Sequence, residues 1–414
     1  MKVLILENIN PSAVNLYKQN EYKYTHLKSS LSERELIERI KDVDVLCIRS
    51  KTKVTKFIID NAPNLKIIGC YCIGTNQVDL EYCKSKGIPV INSPYMNTRS
   101  VAEIAISEII ALSRKLGDKN NEIHNGIWSK SHLGCYEVRG KVLGIVGYGH
   151  VGSQLSILAQ NIGMSVIYYD ILNVLSLGNA IRCSSLNELL QRADFVSLHV
   201  PLTPETTNLI GQKEIYKMKQ GSYLINLSRG KVVDIDAVRD ALLDGYLAGC
   251  AFDVYPQEPK TNTDKFISVL QKCPNTILTP HIGGATEEAQ HCIGVDVTGK
   301  IINYLTFGDT FGTVNFPKIQ VTVNGKNTIY IKNIHKNNPG VMSKINSIFD
   351  KLNINITKQY VNTYKDIGYC ITVFNLDTSL YKINLGLRAT FLNGLLDSIN
   401  QLETTLVTSL YIDE

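Results

Sequence analysis

The chain has 414 residues, a net charge of +5, 44% hydrophobic residues and ten cysteines. That length calls for two or three domains with full cores. The small, dispersed positive charge argues against a nucleic-acid partner, the scattered cysteines without a C-x-x-C pair argue against a zinc site, and no apolar run approaches a membrane span.

The opening stretch MKVLILENIN turns polar too soon for a signal peptide, so a cytoplasmic location with reduced thiols is expected. Short apolar runs at 3–6, 45–48, 67–73 and 90–91 read as strands, with helical patterns between them. One of those helices, 32–40, opens with a capping box from Ser32 to Glu35. The alternation means a parallel sheet. A longer helix is expected from Ser100, with a second capping box to Glu103, as the crossover into another α/β unit.

That second unit is organised around 141–170. An apolar strand, 143–146, runs into Gly147, Gly149 and Gly152 as G-x-G-x-x-G; Val151, Leu155, Leu158 and Ile162 then mark a helix stripe, and a second strand ends on Asp170. The glycines allow a tight turn, a close approach of pyrophosphate, and close packing of helix on strand, while the helix N-terminus favours the phosphate charge. Asp170 follows Gly152 by 18 residues, near the spacing of about 20 expected of an acid that holds the adenosine ribose. A carboxylate there repels a 2′-phosphate, so NAD is expected rather than NADP.

Further strands are expected at 195–200, 223–227, 249–252 and 276–278, and a helix over 293–305. In open parallel sheets ligands lie beyond the carboxyl ends of the strands. Pro201, Arg229, Asp253 and His281 follow strands there, and Glu258 lies close behind one. Hydride transfer from a secondary alcohol needs a base near neutral pH, which suits His281. Glu258 is placed to orient its ring, and Arg229 offers a planar fork for a substrate carboxylate. Singly, each has a plainer reading: a loop histidine, a solvated acid, a strand-end cap. Jointly they point to one crevice.

Upstream, Arg49-Ser50-Lys51 and Gly74-Thr75-Asn76-Gln77 also follow strands and suit an anionic group such as phosphate, the plainer reading being a solvated basic loop. Lys130 is a weaker candidate for that pocket, and its neighbour Trp128 reads as a core or subunit-contact anchor. After a linker the order becomes strand 329–332, helix 341–352, two strands parted by 363–366, helix 385–402 and strand 406–412: the β-α-β-β-α-β, ferredoxin-like order of a small separate domain. His335, Asn337 and Asn355 lie before and beyond its first helix, where Asn337-Asn338-Pro339 also makes a good helix entry.

The motifs GYGHVG with Asp170, NLSRG, FDVYPQEP and TPHIGGAT resemble the D-isomer-specific 2-hydroxyacid dehydrogenase family over residues 1–316. The runs IGTNQVDL, SPYMNTRSVAE and HKNNPGV narrow the resemblance to its bacterial-type branch with a C-terminal ACT domain. That resemblance implies an α/β fold: a Rossmann-type NAD domain (99–286) inserted in a flavodoxin-like substrate domain (1–98 and 287–316), a linker (317–327), and a ferredoxin-like ACT domain (328–414). It implies NAD-dependent oxidation of D-3-phosphoglycerate to 3-phosphohydroxypyruvate, entering serine biosynthesis, with reduction of 2-oxoglutarate as a side activity. A hydroxypyruvate, glyoxylate or other D-2-hydroxyacid reductase is the alternative.

By the same resemblance Arg229, Glu258 and His281 are catalytic. NAD contacts fall on Gly147, Gly149, His150, Val151, Gly152, Asp170, Leu227, Ser228, Arg229, Asp253, His281, Ile282, Gly283 and Gly284. Substrate contacts fall on Arg49, Ser50, Lys51, Gly74, Thr75, Asn76, Lys130 and Arg229, and serine as effector is expected between subunits of a homotetramer at His335, Asn337 and Asn355. Two departures stand out: Lys51 replaces a common arginine, and the linker has the single glycine Gly325 where a pair is common.

Overall fold

The computed structural model describes residues 1–259, 263–322, 328–375 and 385–413. Gly325 and the last part of the expected linker lie outside the described residues. The chain packs as two compact units, Met1–Pro94 with Gln290–Glu414, and Tyr95–Ala289. Among the described residues no helix is long and apolar enough to cross a membrane.

In the first unit β1 (Lys2–Ile5), β2 (Lys23–His26), β3 (Val45–Ile48), β4 (Ile67–Cys70) and β5 (Val90–Asn92) form a parallel sheet in the order β2-β1-β3-β4-β5. The central runs VLCI and IIGC are buried at every position, as strands covered on both faces must be. Helix Glu33–Ile40 has the expected capping box from Ser32. Helix Glu287–Phe307 lays Ile293, Val297, Ile301, Tyr304 and Leu305 on the same core as Val3, Ile5, Val45 and Ile67. Its approach is close: a Cβ on Gly69 would stand 2.5 Å from the Ile301 side chain.

The C-terminal part of this unit has β13 (Thr328–Lys336), β14 (Ile356–Tyr364), β15 (Ile367–Asn375) and β16 (Thr405–Asp413), antiparallel in the order β14-β15-β13-β16. Alternate residues face opposite ways along a strand. Ile329, Ile331 and Phe374 therefore meet helices Val341–Lys351 and Leu385–Asn400, while Tyr330, Ile334, Tyr369 and Ile371 enter the core that holds β1 and β3. The β-α-β-β-α-β order is as expected, but the sheet does not stand apart from its unit. Lys332 on that second face donates to the carbonyls of Tyr304 (3.2 Å) and Leu305 (2.8 Å), and Tyr369 donates to the carbonyl of Gly308 (2.7 Å). The C-terminal sheet thus caps the end of helix Glu287–Phe307, where carbonyls lack intrahelical partners.

The second unit is a seven-stranded parallel sheet of β6 (Val142–Val146), β7 (Ser165–Tyr169), β8 (Ile181–Arg182), β9 (Phe195–Leu198), β10 (Ser222–Asn226), β11 (Leu247–Phe252) and β12 (Thr276–Leu278), ordered β12-β11-β10-β9-β6-β7-β8. The order reverses between β6 and β9, the switch point at which such sheets bind ligands. Helices Thr98–Ser113 and His150–Asn161 share one core with this sheet; helices Leu186–Arg192 and Ile235–Leu243 share the other. The expected capping box at Ser100 is absent. The helix begins at Thr98; Glu103 instead pairs with Arg99 at 2.6 Å, and the Ser100 hydroxyl bonds that of Thr286 at 2.8 Å.

Candidate active site

The glycine loop divides its three glycines by function. Gly147 has φ +91°, and a Cβ there would stand 2.5 Å from the carbonyl oxygen of His199. A Cβ on Gly152 would stand 2.2 Å from the Gly147 carbonyl oxygen. Both serve close packing. A Cβ on Gly149 would meet nothing within 4 Å, although Gly149 sits at the N-cap of helix His150–Asn161 with no side-chain cap. Open space before uncapped N–H groups is what a pyrophosphate needs, so the loop fits a dinucleotide. Asp170 is held by the N–H groups of Tyr148 (2.7 Å) and Leu172 (2.8 Å), fixing the acid at the end of β7. Beside the loop, His150 lies under the ring of Tyr95 with centroids 3.8 Å apart.

Arg229, Glu258 and His281 come together. Asn226, at the end of β10, accepts from the Ser228 N–H and hydroxyl and donates to the Arg229 carbonyl, shaping the turn that carries the guanidinium. Gly230 lets that turn press on the next crossover, since a Cβ there would overlap the Tyr255 carbonyl. The Tyr255 N–H in turn donates to Glu258 Oε1 at 3.1 Å, and Glu258 Oε2 lies 2.8 Å from His281 Nδ1. The hydrogen bond and charge of Glu258 raise the His281 pKa above its ordinary value, against the opposing effects of burial and of Arg229. Burial alone would raise the Glu258 carboxyl, but its bond to His281, that ring's charge, the Tyr255 N–H and Arg229 together hold it below the usual range. Arg229 acts electrostatically on both partners, so the three form one charged group at neighbouring strand ends.

Asp253 is 2% exposed and keeps its carboxylate inside the fold. Oδ1 accepts from the Thr279 hydroxyl (2.6 Å) and the Ile282 N–H (2.8 Å), and Oδ2 accepts from the Gly283 N–H (2.8 Å). These bonds bracket His281, whose backbone is left-handed at φ +55°, a conformation that costs a non-glycine residue energy unless its surroundings hold it. Asp253 is thus a clamp on the His281 loop. Leu227 and Ser228 follow β10, and Gly284 lies against Asn97. Asn226, Gly230 and Thr279 were not legible as site residues, because each acts through backbone placement.

In the first unit the two basic and glycine-containing loops are also joined. Gln77 donates to the carbonyls of Arg49 (2.6 Å) and Gly74 (3.2 Å), and Glu7 accepts from the N–H groups of Lys51 (2.9 Å) and Thr52 (2.7 Å). Arg49, Ser50, Lys51, Gly74, Thr75 and Asn76 are therefore presented by a braced pair of loops. Glu7 follows β1, so a search for acids after strands identifies it. Lys130 belongs to the other unit, in an exposed stretch with Trp128, which is 83% exposed and not part of this chain's core.

In the C-terminal sheet His335 is buried, with Nδ1 2.8 Å from the Asn333 side-chain oxygen, and Asn337 donates to the Lys365 carbonyl. The register places His335 opposite Gly368, whereas Ile356 stands opposite Phe374. Asn355, just before Ile356, is at the opposite end of the sheet from His335 and Asn337. At about 3.3 Å per strand residue this separates them by roughly 20 Å. One chain does not gather the three around one amino acid.

A family model described as D-isomer specific 2-hydroxyacid dehydrogenase, NAD binding domain, matches residues 106–283, and one described as AHAS small subunit-like ACT domain matches residues 331–389. The chain is 52% identical over 379 residues to D-3-phosphoglycerate dehydrogenase of Dictyostelium discoideum, covering 92% of each. It is 46% identical to D-3-phosphoglycerate dehydrogenase of Escherichia coli K12, covering 91% of this chain and 92% of that relative. A D-lactate dehydrogenase from Aquifex aeolicus, solved with NAD and lactic acid, matches with TM-score 0.65 at 27% identity, over 77% of this chain and 100% of that one.

Proposed function

This chain belongs to the D-3-phosphoglycerate dehydrogenases, a branch of the D-isomer specific 2-hydroxyacid dehydrogenases, and we propose that Arg229, Glu258 and His281 carry its chemistry. It is an NAD-dependent oxidoreductase that converts D-3-phosphoglycerate to 3-phosphohydroxypyruvate on the route to L-serine. NAD supplies the hydride acceptor. His281 takes the proton of the substrate's secondary hydroxyl on Nε2, the ring nitrogen that Glu258 leaves open. Glu258 orients the ring and stabilises its cation as the proton arrives. Arg229 holds the substrate carboxylate and so fixes which hydrogen faces the cofactor. In the reverse direction the imidazolium returns the proton.

Arg49 and Lys51, with the backbone of residues 74–76, bind the phosphate. That charge requirement favours a phosphorylated substrate over hydroxypyruvate or glyoxylate. 2-Oxoglutarate, with two carboxylates, is a secondary substrate for the same cations. Serine binds at the C-terminal domain: His335 and Asn337 of one subunit are completed by Asn355 of another, since the strand register separates them within a chain. The enzyme acts in the cytoplasm as a homotetramer.

The observation that carries this reading is the 2.8 Å contact of His281 with Glu258 under the charge of Arg229. Steady-state turnover of 3-phosphoglycerate with NAD, with and without serine, tests it. His281→Ala is expected to abolish turnover while NAD still binds; turnover near the wild-type rate refutes the assignment.

A further inference from the structure

The second unit buries a carboxyl that the reaction outlined above does not use. Glu108 lies on helix Thr98–Ser113, whose Ala105, Ile109 and Leu112 pack in one core with Ile225, Leu227 and Ala251 of β10, its end and β11. It is 3% exposed, and among the described residues neither carboxylate oxygen has a hydrogen-bond partner. The titratable groups acting with it are Asp253, Cys250 and Tyr255, all on β11 or just beyond it. Among the described residues no cation contributes to its state.

An unpaired carboxylate inside a core is costly, and a second anion beside it adds to the cost. Of the two acids, Asp253 accepts three hydrogen bonds and Glu108 accepts none. Glu108, with no hydrogen bond to hold a charge, is therefore the member kept neutral. Burial first, and the charge of Asp253 second, push the Glu108 pKa up to about 8.

We propose that Glu108 is a positioning residue for the hydride-transfer site: its uncharged carboxyl sets no second charge against Asp253 and leaves that aspartate to clamp the His281 loop, and a charge on Glu108 loosens the clamp. The proposal rests on the assignment of His281 made above. A second anion at the end of β11 repels Asp253, the residue that pins Thr279, Ile282 and Gly283 on either side of a strained histidine. The effect falls on kcat rather than on the KM for NAD, because the loop carries the proton acceptor.

The test follows 3-phosphoglycerate oxidation at saturating NAD from acid to alkaline pH in full-length wild type, E108Q, E108L and H281A. In this direction His281 must be neutral, so its own ionisation shapes only the acid limb. Normalised to its maximum, wild-type kcat at pH 9 is expected about tenfold below that of either neutral variant, the fraction of Glu108 still protonated one unit above its pKa. Infrared pH-difference spectra are expected to show a protonated carboxylic acid band in wild type that E108Q lacks. E108L fills the same space without polar atoms and supplies a folded comparison if the amide of E108Q disrupts packing. An alkaline limb unchanged in both neutral variants, or none in wild type, overturns the proposal. Turnover by H281A instead overturns the parent assignment, so the two failures are distinct.

Discussion

Glu258 accepts the Nδ1 proton of His281 at 2.8 Å, which leaves Nε2 as the nitrogen that exchanges a proton with substrate in the proposed mechanism. Two consequences follow from the raised pKa of the ring. Oxidation needs neutral His281, so its rate rises with pH through that raised value, and reduction falls through it. Glu258→Gln removes the charge that raises it, so the acid limb of oxidation moves to lower pH. The same change is expected to lower kcat by a factor on the order of 10². A pH–rate profile for E258Q that overlays wild type contradicts this pairing.

Gly149 and Gly152 lie three residues apart but should respond differently to alanine. At Gly149 a methyl group meets no protein atom within 4 Å, so G149A is expected to fold with an unaltered Tm and to raise the KM for NAD by about tenfold. At Gly152 the methyl group collides with the Gly147 carbonyl. G152A is expected to lose about 1–3 kcal/mol of stability, as overpacking does. Thermal melts and NAD titrations of both variants decide it.

Arg49 and Lys51 stand on a loop braced by Glu7 and Gln77. R49A/K51A is expected to lower kcat/KM for 3-phosphoglycerate by about 100-fold, from two lost charged contacts, while changing that for hydroxypyruvate by less than about threefold. Equal losses on both substrates remove the phosphate site from these loops.

Lys332 is buried with no acid beside it among the described residues, and burial, helped by the charge of Lys66, lowers its pKa to about 7. The unfolded chain holds this proton up to the ordinary lysine value, so between about pH 7 and 10 the unfolded state binds more protons and stability rises with pH. Below about 7 both states are protonated and this contribution is flat. Lys332→Met removes the slope, worth on the order of 1 kcal/mol per pH unit, although it takes the lysine donor from the Leu305 carbonyl and from that of Tyr304, which keeps the Gly308 N–H. Denaturant unfolding of both proteins at pH 7 and 9 measures the difference; equal slopes refute the buried, uncompensated amine.

Two of the edge strands, β2 and β8, are not legible in the sequence, whereas the edges β5 and β12 are. β2 (KYTH) and β8 (Ile181–Arg182) are exposed at most or all positions, and an edge strand needs no apolar run because a neighbour covers only one side. The Ser32 capping box was legible because it closes over four residues. The Ser100 box failed because the helix starts two residues earlier and a tertiary contact with Thr286 takes the hydroxyl.

What the chain carries in its linear order is local: the strand–glycine–helix–strand–acid unit of 141–170, the strand and helix runs of the C-terminal β-α-β-β-α-β order, and the polar residues that follow parallel strands. Each arises from neighbours within a few residues, so periodicity and turn chemistry reveal it. The tertiary structure alone decided that Asp253 clamps the His281 loop and that the buried Glu108 has no hydrogen-bond partner among the described residues. It also decided that Asn355 lies across the sheet from His335, and that the second face of the C-terminal sheet enters the core that holds β1 and β3. Those facts depend on which strands are adjacent and in what register, and that choice is made by long-range packing of whole faces, which no short stretch of sequence encodes.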